Sequence, residues 1–433
     1  MTVTIVLLVL AFFLVVGLPV ALAMAVSGAT GLYMLGGMQF LTGILRTSPL
    51  STANSYEIIT IPMFILMAEF VIISGVANDL FRSASIWVGR LRGGLAMATA
   101  LAGAGFGAIS GSSTAAAATL ASTSMPAMLR EGYDPKLAGG VVAISGTLAM
   151  LIPPSIALIL YGIIADVSIG DLLIGGVIPG IIVTLAIILT VAVLVRIEPE
   201  SAPAGRAYTM REKFASLAHV GPMLILLIAV SGSIYSGIAT PTEAAGMGAF
   251  VAMAIAMWER KLTLAGLWQA LRSTAQTSCM ILFIILGAHV FGYFLTLSRV
   301  TNDLSMWVGG LDMSPTMIMI IILIGYIILI GYIILGFFMD QVAILILTVP
   351  VMLPIVIQLG YDPVWFGVIV VVTAEVGMVT PPMGMNVFVV ARYTRRPLGE
   401  LFRGVMPHVW AHLIVIGLML AFPALILWLP STM

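Results

Sequence analysis

The chain reads Gly132-Tyr133-Asp134-Pro135, then an apolar run, then Ile152-Pro153-Pro154-Ser155. It reads again Gly360-Tyr361-Asp362-Pro363, an apolar run, then Thr380-Pro381-Pro382-Met383-Gly384-Met385-Asn386. The copies lie 228 residues apart, as do Pro126 and Pro354 upstream and Gly176-Val177-Ile178-Pro179 and Gly404-Val405-Met406-Pro407 downstream. Four landmarks at one offset mark an internal repeat. A double proline inside an apolar span removes two backbone donors and breaks the helix. In hydrocarbon a broken helix is tolerated only where protein covers it or it lines a site. Two breaks in corresponding positions of two halves point to the binding site of a secondary transporter.

Composition sets the class. Of 433 residues 61% are hydrophobic and only 8% charged, with mean hydropathy +1.18. Soluble domains carry about a quarter charged residues, so this chain is an all-α integral membrane protein whose partner is the lipid bilayer. Lys+Arg and Asp+Glu balance at 18 each, which gives no electrostatic reason to expect nucleic acid. The one cysteine, Cys279, excludes a disulfide framework and a cysteine metal site. Met1-Thr2-Val3-Thr4 has no basic segment before its apolar run and reads as a retained first span, not a signal peptide.

Spans of roughly 20 apolar residues are expected at 3–17, 18–38 and 56–75, followed by an amphipathic interfacial segment around Arg82, Trp87, Arg90 and Arg92. The run 94–129 is interrupted by Ser110-Gly111-Ser112-Ser113-Thr114 and has basic residues at both flanks, so it is expected to enter and return as a re-entrant hairpin. The broken helix 137–166 and a span at 172–195 complete a first repeat, 1–195. A polar connector, 196–216, leads to a second repeat, 217–433, with spans at 217–237, 243–258 and 275–297 and an interfacial stretch near Trp307. A second hairpin over 314–359, a second broken helix over 361–391 and a last span at 407–429 follow. The second hairpin contains a six-residue tandem echo, Ile324–Leu329 and Ile330–Leu335, which has no functional reading.

Basic residues gather in 82–92, 130–136, 196–213, 260–272 and 392–403, whereas the alternating loops near 166–171, 238–242, 311–315 and 360–363 hold none. Arg46 and Arg299 are the exceptions. By the positive-inside rule the basic set is cytoplasmic and both termini lie outside. With five spans and a hairpin per half, an odd number of crossings makes the repeats inverted.

Each half then supplies a polar tip and a helix break. Freed carbonyls at a break coordinate a small hard cation, with hydroxyl and amide oxygens completing the shell. Freed N–H groups at half-helix N-termini attract a carboxylate. One cation site is assigned to Ser110, Gly111, Ser112, Ser113, Pro153 and Ser155, and a second to Gly336, Asp340, Gln341, Thr380, Pro381 and Asn386. The substrate anion is assigned to Ser113, Thr114, Pro154, Ser155, Pro382, Gly384 and Asn386. Small polar residues also serve plain helix packing, but the repeat position favours function. Asp340 is an embedded acid, costly unless paired. Glu69 and Glu375 are deep acids too. For Glu375, ion or proton coupling and hydrogen-bonded support of the break are both open. His289 and Cys279 read as packing.

The ordered motifs, from Ser110-Gly111-Ser112-Ser113 through Ile152-Pro153-Pro154-Ser155 and Gly176-Val177-Ile178-Pro179-Gly180 to Gly336-Phe337-Phe338-Met339-Asp340 and Glu375–Asn386, resemble the large membrane subunit of TRAP transporters over essentially the whole chain. Ala149 stands where that pattern leads one to expect glycine. The resemblance implies a bacterial inner-membrane importer of an organic-acid anion, such as a C4-dicarboxylate or sugar acid. It further implies Na+ coupling, a periplasmic binding protein, a small four-helix membrane subunit on a separate chain, and an elevator in which hairpins and broken helices slide against a scaffold. The rival readings are a binding-protein-independent sodium/dicarboxylate symporter of similar fold and a passive anion channel. No GxxxxGK[ST] loop supports ATP drive and no paired acids, HExxH or Gly-x-Ser-x-Gly support an enzyme.

Overall fold

Gly132 and Gly360 take left-handed φ of 85° and 84°, a conformation that a residue without Cβ adopts freely. Each is followed by a tyrosine that pins the base of its own hairpin. Tyr133 Oη accepts from Leu95 N at 3.1 Å, and Tyr361 Oη donates to Thr316 Oγ1 at 3.4 Å. Asp134 then accepts from Lys136 N and Asp362 from Val364 N and Trp365 N, with proline at the first helical position in both. An N-cap carboxylate followed by proline starts a helix. The repeated tetrapeptide is therefore one folding device used twice.

The structure is a computed structural model that describes residues 2–310, 313–332, 341–382 and 384–432. The described residues form no β-strand and are almost wholly helical. The first half runs α1 (Thr2–Val15), α2 (Val20–Ala53), α3 (Thr60–Ser74), α4 (Val76–Val88), α5 (Gly94–Ser110), α6 (Ser113–Arg130), α7 (Pro135–Thr147), α8 (Ile156–Ala165), α9 (Ile169–Gly175) and α10 (Val177–Ile197). The second runs α11 (Met210–Leu227), a π-turn at Ile228–Gly232, α12 (Ser233–Tyr235), α13 (Pro241–Trp258), α14 (Leu264–Leu297), α15 (Val300–Gly309), α16 (Pro315–Tyr332), α17 (Gln341–Gln358), α18 (Pro363–Gly377), α19 (Met385–Thr394), α20 (Leu398–Ala421) and α21 (Ala424–Leu427). Seven described segments are long and apolar enough to span a membrane. The first arm of the first hairpin, Gly94–Ser110, and the broken-helix pieces Pro135–Met150, Ile156–Ala165 and Pro363–Gly377 are among the shorter apolar helices.

The structure moves several expected boundaries. The span expected at 18–38 continues to Ala53 through Gly37, whose φ of 70° and ψ of −168° put a kink there. The span expected from 275 begins at Leu264, because Thr263 caps Gly266 N at 3.0 Å and no breaker follows. In the segment expected as a connector to 216, helix starts at Met210, where Thr209 and Glu212 form a reciprocal capping box. The connector is also packed. Ala202 is fully buried, Asp134 N donates to Ser201 O at 2.8 Å, and Arg92 pairs with Ala204 in a β-bridge. Gly336, Asp340 and the end of the tandem echo at Leu335 lie outside the described residues.

The halves interlock by exchange. The second span of each half packs on the third span of the other, α2 on α14 and α13 on α3. The second arm of each hairpin packs on the half-helix beyond the other half's break, α6 on α19 and α17 on α8. Small residues permit the approach: Thr60 Oγ1 meets Thr242 Oγ1 at 2.6 Å, and a Cβ on Gly287 would fall 2.2 Å from Ala21 O. Close backbone contact is how helices associate in lipid, where burial of apolar surface gives no drive. Ala149 fits the same rule from the other side. Its backbone would lie 2.9 Å from a Cβ on Gly107, so the facing helix supplies the glycine.

A Cβ on Gly140 of α7 would lie 2.2 Å from Gly404 O of α20. Gly140→Val is therefore expected to lower stability by roughly 1–3 kcal/mol or more through overpacking. Gly417→Ala, with nothing within 4 Å, is expected to leave stability unchanged or raise it by about 1 kcal/mol. Thermal unfolding of the purified variants checks both.

Candidate functional site

The first tip forms where α5 stops. Gly111 caps it at φ 59°, and Ser112, extended at φ −130°, starts α6 by accepting from Ala115 N at 3.4 Å. A Cβ on Gly111 would lie 3.1 Å from Pro154 O and 3.3 Å from Ile156 N, so the tip rests directly on the first break. In both breaks the Pro–Pro bond is cis.

The tip opens on a cavity of about 170 Å3. Ser110, Gly111, Ser112, Ser113 and Thr114 line it from the first half, Gln341 and the two methionines flanking the second break, Met378 and Met385, from the second. Glu69 of α3 and Thr277 of α14 complete its polar lining. Small-molecule pockets usually measure roughly 300–1,000 Å3, so this space suits an ion with a few waters better than a sugar acid. Larger cavities lie elsewhere; one of about 550 Å3 sits among the loops at Ser55–Glu57, Asp166–Gly170 and Ala239–Thr242.

Two polar atoms of the cavity lining, Ser110 Oγ and Gln341 Oε1, have no hydrogen-bond partner among the described residues, nor do Asn386 Oδ1 and both oxygens of Glu375, which lie outside that lining. Ser110 is 2%, Gln341 1%, and Asn386 and Glu375 0% exposed. A buried polar atom without a partner costs about 1–3 kcal/mol, and native structures rarely keep such atoms. Hard, mostly neutral oxygens in an apolar bundle are the donor set a small alkali cation takes. The residues present fit Na+ on this ground.

The predicted residues divide. The tip residues and Gln341 come together, but across the halves. Ser113 Oγ reaches Met378 Sδ at 3.6 Å, and Asn386 Nδ2 donates to Ala143 O of α7 at 3.5 Å. Gln341 Nε2 donates to Val371 O at 3.4 Å, leaving its Oε1 unused. The structure thus brings together residues expected in two separate sets.

Others are placed apart or already engaged. Ser155 Oγ donates to Met150 O and accepts from Leu158 N, so it caps α8. Pro153 and Pro154 line a small cleft with Leu173, Ile174, Val177 and Val230 and are absent from the lining of the tip cavity, although Pro154 O lies against Gly111. Thr380 Oγ1 is bonded to Val376 O at 2.6 Å, and Pro381 and Pro382 are exposed. Gly384 is packed, its Cβ position 2.9 Å from Phe402 and 3.0 Å from Val379. It starts α19 without a side-chain cap, which leaves the half-helix N-terminus to other acceptors. Glu375 makes no hydrogen bond among the described residues. Sequence reasoning left Glu69 without a role and missed Thr277; nothing in either local sequence shows that α3 and α14 meet the tips.

A sequence profile described as Tripartite ATP-independent periplasmic transporter, DctM component, matches residues 7–425. The chain is 35% identical over 381 residues to the C4-dicarboxylate TRAP transporter large permease protein DctM of Pseudomonas aeruginosa, covering 88% of this chain and 87% of that one. It is 30% identical to the sialic acid TRAP transporter large permease protein SiaM of Vibrio cholerae, covering 87% of each. It is 32% identical to the isethionate TRAP transporter permease protein DctMQ of Oleidesulfovibrio alaskensis, covering 97% of this chain and 64% of that one. Among solved structures, the crystal structure of the Alcanivorax borkumensis YdaH transporter superposes with a TM-score of 0.63 over 89% of this chain and 88% of that one, at 16% identity, a likeness of fold alone.

Because Ser155 is spent as a cap, Ser155→Ala is expected to cost about 1 kcal/mol of stability and to leave the sodium dependence of transport unchanged. Thermal unfolding and a sodium titration of uptake measure the two effects separately.

Proposed function

The chain belongs to the DctM family, the large permease component of tripartite ATP-independent periplasmic transporters, a multi-pass membrane transporter subunit and not an enzyme, and on that premise we propose that it imports an organic-acid anion driven by a sodium gradient. The observation that carries the proposal is the tip cavity, where unpartnered neutral oxygens of both halves meet inside an apolar bundle. The cation occupies that space, completing the coordination of Ser110, Ser112, Ser113 and Gln341, with Asn386 beside it. Asp340 adds the negative charge expected at the second tip.

The anion docks at the N-termini of α6 and α19, which pack together. Their N–H groups and the positive ends of their dipoles favour a carboxylate or sulfonate. Thr114 and Asn386 supply neutral donors. C4-dicarboxylates, sialic acid and isethionate, named for relatives, share an acidic group of this kind. A C4-dicarboxylate is the substrate we favour, on the relative with 35% identity.

Charge supports inverted repeats in an inner membrane. The loop after α8 carries Asp166 and Asp171 and no basic residue, while the equivalent turn after α19 carries Arg395 and Arg396. Asp166 and Arg395 share a left-handed φ of 54°, so the same turn is built with opposite charge in each half. Equivalent turns on opposite sides of a membrane would differ in this way. Two basic stretches touch, Lys213 lying over Trp87 at 5.8 Å, and Lys261 Nζ reaches the end of α3, donating to Ser74 O at 2.6 Å. Two of the loops without basic residues meet, Asp166–Gly170 and Ala239–Thr242 lining one cavity, and close by in sequence Tyr235 Oη lies 3.1 Å from Thr432 Oγ1. The end they occupy is periplasmic and holds both termini. There the periplasmic binding protein delivers the anion, with a separate four-helix subunit alongside. Hairpins and broken helices then move as one body against α1–α3 and α11–α14.

In proteoliposomes holding the chain, its small subunit and its binding protein, an inward sodium gradient is expected to drive accumulation of the organic acid. Uptake by this chain without the binding protein, or accumulation without sodium, would sink the proposal. Asp340→Asn is expected to abolish sodium-driven uptake while leaving membrane insertion intact, and Ser112→Ala with Ser113→Ala to raise the half-saturating sodium severalfold.

A further inference from the structure

Glu69 contributes the one formal charge among the side chains described around the tip cavity. It belongs to α3, not to either hairpin, and it lines the same cavity as Ser110–Thr114 and Gln341. Ser273 Oγ of α14 donates to Glu69 Oε1, which holds the carboxylate in place. No other hydrogen bond to Glu69 occurs among the described residues. Thr277, one helical turn beyond Ser273, lines the same wall with its hydroxyl group. The same cavity is lined by Ser112 and Thr114, 3.4 Å apart through their hydroxyls, and by Ser110 and Gln341, whose Oγ and Oε1 have no partner among the described residues.

A cation entering this space from water loses hydration, and neutral dipoles alone replace it poorly in an apolar surround. A carboxylate in the cavity lining supplies counter-charge at reduced dielectric, where its attraction is largest. The carboxylate in turn gains a partner that its single serine does not provide.

We infer that Glu69 and Thr277 are cation ligands contributed by the surrounding helices, so that a monovalent hard cation of the sodium class bridges α3 and α14 to the first hairpin tip and to Gln341 at the start of α17. This inference rests on the sodium-coupled reading above and adds a consequence to it. A cation in the cavity ties the hairpins to α3 and α14, and its departure loosens them. A site built only from hairpins and breaks would travel whole and leave no such tie.

The test is the melting temperature of the purified chain titrated with NaCl against KCl at constant ionic strength, which reads ion binding apart from transport. Wild type is expected to show a saturable sodium-specific rise. Glu69→Gln is expected to need at least tenfold more sodium for half the rise, Glu69→Asp to stay within threefold of wild type, and Thr277→Val to need severalfold more. If wild type responds to sodium and both Glu69→Gln and Thr277→Val follow its curve, the inference is overturned and the coupling reading stands. If wild type shows no sodium-specific rise, the coupling reading fails and takes the inference with it. Should Glu69→Gln not fold, Thr277→Val alone decides: an unshifted curve overturns the inference.

Discussion

The whole architecture follows from one constraint: a backbone amide or carbonyl inside hydrocarbon must have a partner. Prolines at 153, 154, 381 and 382 break that rule twice, at equivalent places. Every other feature of the centre compensates. The first hairpin sets its glycine tip against Pro154 O. Serine and threonine side chains return to the chain near each break, Ser155 to Met150 and Leu158, Thr380 to Val376. What these repairs leave over is the chemistry. Among the described residues the oxygens of Ser110, Gln341 and Asn386 keep no partner.

The exchange between halves gives the site its stability and its asymmetry. Tyr161 of α8 donates to Pro363 O at 2.8 Å and packs edge-on to Phe366, so the half-helix beyond the first break is anchored on the start of the second broken helix. Asn386, beyond the second break, is anchored in turn on Ala143 before the first. Neither half can assemble its break alone. The chemistry is nonetheless unequal, with hydroxyls at the first tip and amides and acids in the second half.

Much of this was legible in the sequence, for a physical reason. Glycine, proline and N-cap aspartate act locally, so Gly132–Pro135 and Gly360–Pro363 disclosed both helix starts. The run Ser110–Thr114 disclosed the tip of the first hairpin. Boundaries set by the absence of a breaker were not legible: helix α14 extends back to Leu264 and α11 to Met210, through polar residues that tolerate helix outside the bilayer. Contacts between distant segments were hidden altogether. Period and spacing within one segment carry no information on whether Ser155 is engaged, on which way Pro153 and Pro154 face, or on which spans meet the tips.

The central claim is that oxygens from opposite halves hold one cation together. A double-mutant cycle of Ser110→Ala and Gln341→Ala, read as half-saturating sodium for uptake, tests it most directly. Residues of one site couple by roughly 0.5–3 kcal/mol, whereas independent ones add. The account predicts that each single change raises the half-saturating sodium and that the double change falls well short of the product of the two. Strict multiplication of the two effects, or no effect from either, would contradict it.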